Sequence, residues 1–465
     1  MSRRARITAL IVACALFMQN LDSTVVATAL PAMARAFHTP PVHMNVALTS
    51  YLLSLTVFIP ASGWIADRYG SRSVFRMAIA IFTFGSVLCG RADSLMFLVF
   101  ARVLQGVGGA LMVPVGRLLL LRSVAKTEYV AAMAWLSVPA MLGPVLGPPV
   151  GGFIVTYASW SWIFDINVPI GVLGIVLVSL YIEDTRDQPA GGFDWIGLIL
   201  VAITMVGLMF GLEMASRGVL PWQVTLGMVV AGAIAAVLYF LHARVREHPL
   251  LDLSLMRIPT FGLSVAAASF FRVGIGATPF LLPLMLQLGF GYSAAGSGVI
   301  TFASSAGALV MKTAAQYALR RFGFRPTLIY NGIISVASLG LMAAFRPAWP
   351  LAAIYAVLLL GGFFRSLQFT AFNTIAFADI SGARMSQATS FYSTAQQLSL
   401  AVGVAAGAAA LEIAVTLSGH QRPLLVDYSF AFLAVAVVAA ISVPISLQFS
   451  PDAGAEVSGQ RRRLG

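Results

Sequence analysis

Fourteen apolar stretches, each close to the length that crosses a bilayer, follow one another along this 465-residue chain with short polar turns between them. A helix needs about 20 residues to traverse roughly 30 Å of hydrocarbon. In lipid every backbone amide and carbonyl must be satisfied inside a helix or a closed barrel, so runs of this length fold as helices and little else. The stretches cover 7–31, 45–66, 74–91, 95–116, 131–156, 164–182, 194–213, 222–241, 261–287, 293–315, 327–345, 350–375, 389–416 and 427–449. Composition agrees: 59% of residues are hydrophobic and 10% charged, against about 25% charged in a soluble domain. The expectation is an all-α polytopic membrane protein embedded in a lipid bilayer. Its opening MSRRAR and first run read as an uncleaved first helix, since the run is longer than a signal-peptide core.

The formal charge of +12 does not point to nucleic acid, because the basic residues are dispersed between apolar segments and form no contiguous face with interleaved aromatics. The two cysteines, Cys14 and Cys89, lie in apolar stretches and read as small core residues. No His, Cys or carboxylate cluster has metal-ligand spacing, and there is no phosphate-cradling glycine loop and no nucleophile–base pair. No metal, no cofactor and no enzymatic activity are expected.

Basic residues orient the stretches. With the N-terminus in the cytoplasm, 21 of the 29 lie on cytoplasmic segments, Arg117 and Lys312 counted among them, and 5 lie outside. The other three, Arg102, Arg272 and Arg365, fall within spans. Both termini are therefore expected in the cytoplasm, in keeping with an even number of spans. An internal repeat is also legible. DRYGSR at 67–72 recurs as RRFGFR at 320–325, and Arg102-Val-Leu-Gln105 recurs as Arg365-Ser-Leu-Gln368 two spans later in each case. The chain divides into a six-span half at 1–183, two inserted spans and a cytoplasmic linker at 184–254, a second six-span half at 255–449, and a disordered cytoplasmic tail at 450–465. Parallel repeats around a midplane site are a secondary-transporter architecture.

Four features carry candidate chemistry. Asp22, in QNLDSTVVATALP, is the one charge in the first stretch, where a bare carboxylate costs several kcal/mol. It reads as a proton or cation site, or alternatively as a packing acid bonded to Ser23, Thr24 or a neighbouring helix. Arg102 lies at hydrocarbon depth and should face a cavity or a carboxylate. In GWIADRYGSR, residues Gly63, Asp67, Arg68, Gly70 and Arg72 combine a tight turn with opposite charges, which suits a latch between helices. Gly143, Gly147 and Gly151 fall on one face of the fifth stretch, beside Pro144, Pro148 and Pro149, and small residues at that spacing let helices approach closely in lipid.

These motifs resemble the major facilitator superfamily. The loop is similar to its G-x-L-A-D-R-x-G-R-K signature, with Ile65 for leucine and Ser71 for one basic residue. Leu98, Arg102, Gln105 and Gly106 resemble its L-x-x-x-R-x-x-Q-G motif. Gly143, Gly147, Pro148, Gly151 and Gly152 resemble the antiporter motif G-x-x-x-G-P-x-x-G-G. LDSTVVATALP and WSWIFDINVPIG look like segments of the fourteen-span drug:proton antiporters, and the overall pattern resembles that of enterobacterial multidrug transporters of that subfamily. The resemblance implies the major facilitator fold, with two six-helix halves and two extra central helices. It implies coupling of protonation to substrate release at Asp22, modulated by Arg102. Departures are Arg320 in place of Asp67 in the second copy of the loop, Gln316 in place of Gly63, and Asp165 at a usually apolar position. Asp165 is either a second proton site or a solvated acid at an outer helix end.

The reading of function is a proton-coupled exporter of amphipathic drugs or toxic small molecules in the bacterial inner membrane, its partners being protons, the small-molecule substrate and lipid, with no feature that asks for more than a monomer. The alternatives are an exporter of a small organic anion or metabolite, favoured by the three arginines within spans, and a non-transporting sensor. Met18, Gln19, Phe271, Arg272, Arg365, Phe369 and Asn373, with Gln287, are the residues expected around a central cavity. Glu412 is a second candidate coupling acid.

Overall fold

The computed structural model describes residues 3–39, 44–183, 192–212, 214 and 221–458, and contains no strand among them. The first six long helices are α1 (Arg3–Ala36), α2 (Val46–Tyr69), α3 (Ser71–Gly90), α4 (Leu95–Ser123), α5 (Tyr129–Tyr157) and α6 (Trp162–Tyr181). Two follow, α7 (Trp195–Phe210) and α8 (Trp222–Val245). The last six are α9 (Pro259–Gly289), α10 (Gly296–Phe322), α11 (Phe324–Ala344), α12 (Leu351–Ile375), α13 (Gly382–Ser418) and α14 (Leu425–Ser446). Among the described residues 12 helices are long and apolar enough to cross a membrane. The 29-residue α5 and the shorter apolar α7 occupy the fifth and seventh predicted stretches, so the fold is compatible with fourteen spans.

The repeat in the sequence is a repeat in packing. α1 pairs with α5 as α9 pairs with α13, α2 with α4 as α10 with α12, and α3 with α6 as α11 with α14. The turns repeat as well. Gly70 and Gly323 both stand at positive φ, 87° and 80°, which a side chain disfavours. Arg72 then donates to the Ser179 carbonyl at 2.6 Å and Arg325 to the Leu447 carbonyl at 3.1 Å, each reaching the end of the sixth helix of its own half.

Burial separates the centre from the rim. The core segment of α1 is 67% buried and that of α8 only 22%, so the inserted pair stands at the periphery. Large apolar side chains such as Phe84, Phe100, Leu180 and Val237 are exposed, a belt that water would not tolerate over this extent and lipid would. Asp194 ties α7 to α8 and the linker. It accepts from the Gly197 and Leu250 amides and lies 2.8 Å from His242 Nε2. Burial pushes its carboxyl up, but these partners outweigh burial and hold it below the ordinary carboxylate value. That contribution is present above the carboxylate range and is lost as pH falls through it.

Arg117 and Lys312, counted above with the cytoplasmic segments, lie within α4 and α10, which continue past them, and both are buried. Near the C-terminal end of the described residues, Ala455–Ser458 is a helical turn with Val457 buried. Residues 459–465 lie outside the described residues.

Candidate functional site

Asp22 and Arg102 meet in the core of the first half. Arg102 Nη1 donates to Asp22 Oδ2 at 2.6 Å, and neither side chain has solvent exposure. The other carboxylate oxygen accepts from Gln105 Nε2 at 3.0 Å and from Asn167 Nδ2 at 2.9 Å. Arg102 is held in turn by the Ala47 carbonyl at 3.1 Å, by Gln105 Oε1 at 2.7 Å, and by the Tyr51 ring 4.4 Å from its guanidinium carbon. Asn167 also donates to Ser86, whose hydroxyl donates to the Phe164 carbonyl. Helices α1, α2, α3, α4 and α6 thus converge on one ion pair. Such a pair is tolerated when hydrogen bonds satisfy its remaining atoms; three donors meet that condition at Asp22, while Arg102 Nη2 is left without a partner. Gln105 stood out in the sequence through the repeat and the span-four motif, whereas Asn167 and Tyr51 were not singled out, because neutral residues in apolar helices carry no energetic signal until a charge is placed beside them.

The glycines of α5 set the position of Asp22. α1 and α5 form the most extensive helix pair, and a Cβ on Gly143 would stand 2.8 Å from both Asn20 Cβ and the Leu21 amide nitrogen. At Gly147 it would overlap Thr24 Oγ1. The two contacts bracket Asp22. Gly151 is buried, Gly152 faces open space, and Pro148 lies outside the described side chains.

Asp67 sits where the halves touch. It accepts a short hydrogen bond from Ser386 Oγ at the start of α13 and faces Arg122 of α4 at 3.5 Å. Ser390 donates to the Ile59 and Pro60 carbonyls nearby, and a Cβ on Gly63 would stand 2.8 Å from the Ser386 carbonyl oxygen. Arg68 is exposed and takes no part. If this contact is a latch, Asp67→Asn removes a charge-assisted bond of about 1.5–3 kcal/mol. A cysteine at Met385, buried at the same contact, should then react with a permeant maleimide about tenfold faster, in a background with Cys14 and Cys89 replaced by alanine. An unchanged rate rejects the latch.

Between the halves lies a cavity of about 500 Å³. Gln19, Arg365, Phe369 and Asn373 line it, as does Asn20. Arg272 stands behind the wall, donating to Tyr392 Oη at 2.6 Å and to Asn373 at 3.5 Å, with the Phe369 ring 5.1 Å away. Met18 and Phe271 are buried in the core and do not line the cavity, and neither does Gln287. The cavity is bordered instead by two cations counted above with the cytoplasmic segments, Arg117 and Lys312. Asp165 pairs with exposed Arg91 at 3.1 Å, away from Asp22, and Glu412 is exposed on α13, away from the cavity. Among the described residues no group of His, Cys, Asp and Glu is arranged to hold a metal.

Comparison with known proteins adds the following. Residues 12–404 match the family model described as Major Facilitator Superfamily. The chain is 41% identical over 404 residues to the "Putative multidrug resistance protein MdtD" of Salmonella heidelberg (strain SL476) and of Salmonella typhimurium, over 85% of this chain and 84% of theirs. Among solved structures, the human organic anion transporter MFSD10 (TETRAN) superposes with a TM-score of 0.69 at 14% identity, over 96% of this chain and 100% of that one. The proton:xylose symporter XylE superposes with a TM-score of 0.67 at 14% identity, over 98% of each. At that identity the likeness is one of fold. The family match and the 41% relatives settle the assignment: this chain belongs to the Major Facilitator Superfamily and is a multi-pass membrane transporter rather than an enzyme.

Proposed function

We propose that the transporter is a proton-coupled exporter of amphipathic small molecules, working by alternating access in a bacterial inner membrane with both termini in the cytoplasm. In this reading the units that move are 1–183 and 255–449, with 184–254 as a peripheral pair. The observation that carries the proposal is the fully buried Asp22–Arg102 pair, one helical turn from Gln19 at the cavity wall. Protonating Asp22 removes the charge that offsets Arg102 while leaving the guanidinium buried. The two protonation states therefore favour different packings of α1 on α4, and cargo beside Gln19 and Asn20 feels the difference. The names of the Salmonella relatives support an export role.

Proton entry supplies about 1.4 kcal/mol per pH unit and about 2.3 kcal/mol per 100 mV, so one proton sustains a tenfold cargo gradient for each pH unit. The test is transport of a panel of amphipathic compounds by the full chain in proteoliposomes. Imposed pH gradients should drive uphill movement of at least one compound and should collapse with a protonophore. Transport indifferent to the gradient removes proton coupling from the reading.

A further inference from the structure

Among the described residues the cavity carries cations without counter-ions. Arg117 and Lys312 line it at 7% and 8% exposure, and Arg365 lines it half-buried. Their hydrogen-bond partners are hydroxyls: Arg117 donates to Ser393 at 3.4 Å, Lys312 to Thr370 at 2.7 Å, and Arg365 to Ser304. No carboxylate is among the lining residues. Asp22, one helical turn from Gln19 at the cavity wall, is already bound by Arg102, Gln105 and Asn167. Behind the wall stands Arg272, with its Nε and Nη1 buried and unpartnered, and Arg117 Nε is also left without an acceptor. Buried cations held only by neutral groups are strongly unfavourable, and the other contacts here are neutral too: the Phe377 and Tyr392 rings 5.9 and 5.5 Å from the Arg117 guanidinium carbon, and Asn373 and Phe369 beside Arg272. These cations are retained here around a space of the size that takes a small organic molecule, beside apolar surface from Leu55, Val113, Leu136, Ile275 and Phe369.

We infer that this cavity is an anion site, and that it takes an amphipathic organic anion, a carboxylate or sulfonate whose head lies among Arg117, Lys312 and Arg365 and whose apolar body rests on the facing aliphatic and aromatic wall. The inference names the cargo of the exporter proposed above and rests on that reading only for the word cargo. The site itself needs no proton coupling. A cationic amphipath would meet three like charges and no acid to offset them.

Four probes of one shape decide the matter: naphthalene-1-carboxylate, naphthalene-1-sulfonate, 1-naphthylmethylammonium and 1-naphthalenemethanol. Counterflow by the full chain in proteoliposomes, without any pH gradient, should carry at least one anion about tenfold or more faster than the ammonium compound. Lys312→Gln and Arg365→Gln should each lower the anion rate about tenfold and shift the ratio toward the ammonium and neutral probes. Misfolding is separated by thermal unfolding of detergent-solubilised protein. Lys312→Met removes an unpaired buried charge and should raise the melting temperature without probe, while the upward shift that the anion gives wild type disappears. A preference for the ammonium probe, carriage of neither anion, or variants that leave the anion-to-ammonium ratio unchanged overturns the inference.

A second arm separates this from proton coupling. One proton entering as one monoanion leaves carries two positive charges inward, so the limiting gradient should grow about 50-fold per charge for each 100 mV, once for the proton and once for the cargo. A neutral cargo would show the proton's share alone. Net anion efflux that ignores pH gradients, with potential acting on one charge only, refutes the proton coupling and leaves the anion site standing.

Discussion

Asp22→Asn should abolish uphill transport. With an inward gradient of two pH units, one coupled proton sustains about a hundredfold cargo gradient, and the variant should stay within about twofold of equilibrium. The loss has two sources that must be told apart. Removing the carboxylate leaves Arg102 buried at 0% exposure, against Tyr51 and with its Nη2 already unpartnered. Breaking a buried pair from one side costs about 3–5 kcal/mol. The asparagine oxygen still accepts from Gln105 or Asn167, which offsets part of that cost and none of the missing charge. The single variant should therefore be both uncoupled and less stable. The double variant Asp22→Asn/Arg102→Met removes both charges and should regain most of the stability, seen as a melting temperature close to wild type, while remaining uncoupled. A single variant that still builds the hundredfold gradient would move the proton site elsewhere in the protein.

Much of this site was legible in the chain because it is made of anomalies. A charge within an apolar helix is visible without coordinates, and Asp22 and Arg102 are two such charges on different helices. Their 2.6 Å separation was not visible, since nothing local fixes how α1 meets α4. The repeat was legible for a similar reason: Gly70 and Gly323 are required by the backbone at a turn, and the same turn recurs. Helix facing was not. In helices that are apolar nearly all round, no polar stripe marks the inner face. Neighbours on such a helix point about 100° apart, enough to put Met18 in the core and Gln19 at the cavity, or Phe271 in the core and Arg272 against its wall. Arg117 and Lys312 were counted with the cytoplasmic segments because a basic residue near the cytoplasmic end of an apolar run reads as topogenic. α4 and α10 instead run on to Ser123 and Phe322, carrying both residues inside.

Gly147→Ala should cost about 1–3 kcal/mol through overpacking, and the cost should be relieved by a second substitution on the other helix. The added methyl collides with the Thr24 hydroxyl and lies 2.7 Å from its Cβ, whereas the next atom, the Thr24 carbonyl carbon, is 3.4 Å away at ordinary contact. Thr24→Gly removes both obstructing atoms. It gives up hydroxyl bonds to the Asn20 and Leu21 carbonyls at 3.0 and 2.9 Å, and glycine within a helix costs up to about 1 kcal/mol. The pair should therefore be strongly non-additive. Thermal unfolding in detergent should find the double variant no less stable than Thr24→Gly alone, with proton-driven transport recovered, because Asp22 returns to its place opposite Arg102. Gly143→Ala is the contrasting case. Its methyl would stand 2.8 Å from the Leu21 backbone nitrogen, which no side-chain truncation removes, so Asn20→Gly should fail to rescue it. Additive losses at Gly147, or rescue at Gly143, would mean that the glycines do not seat α5 on the turn that holds Asp22, and the carboxylate would have to be positioned by Arg102, Gln105 and Asn167 alone.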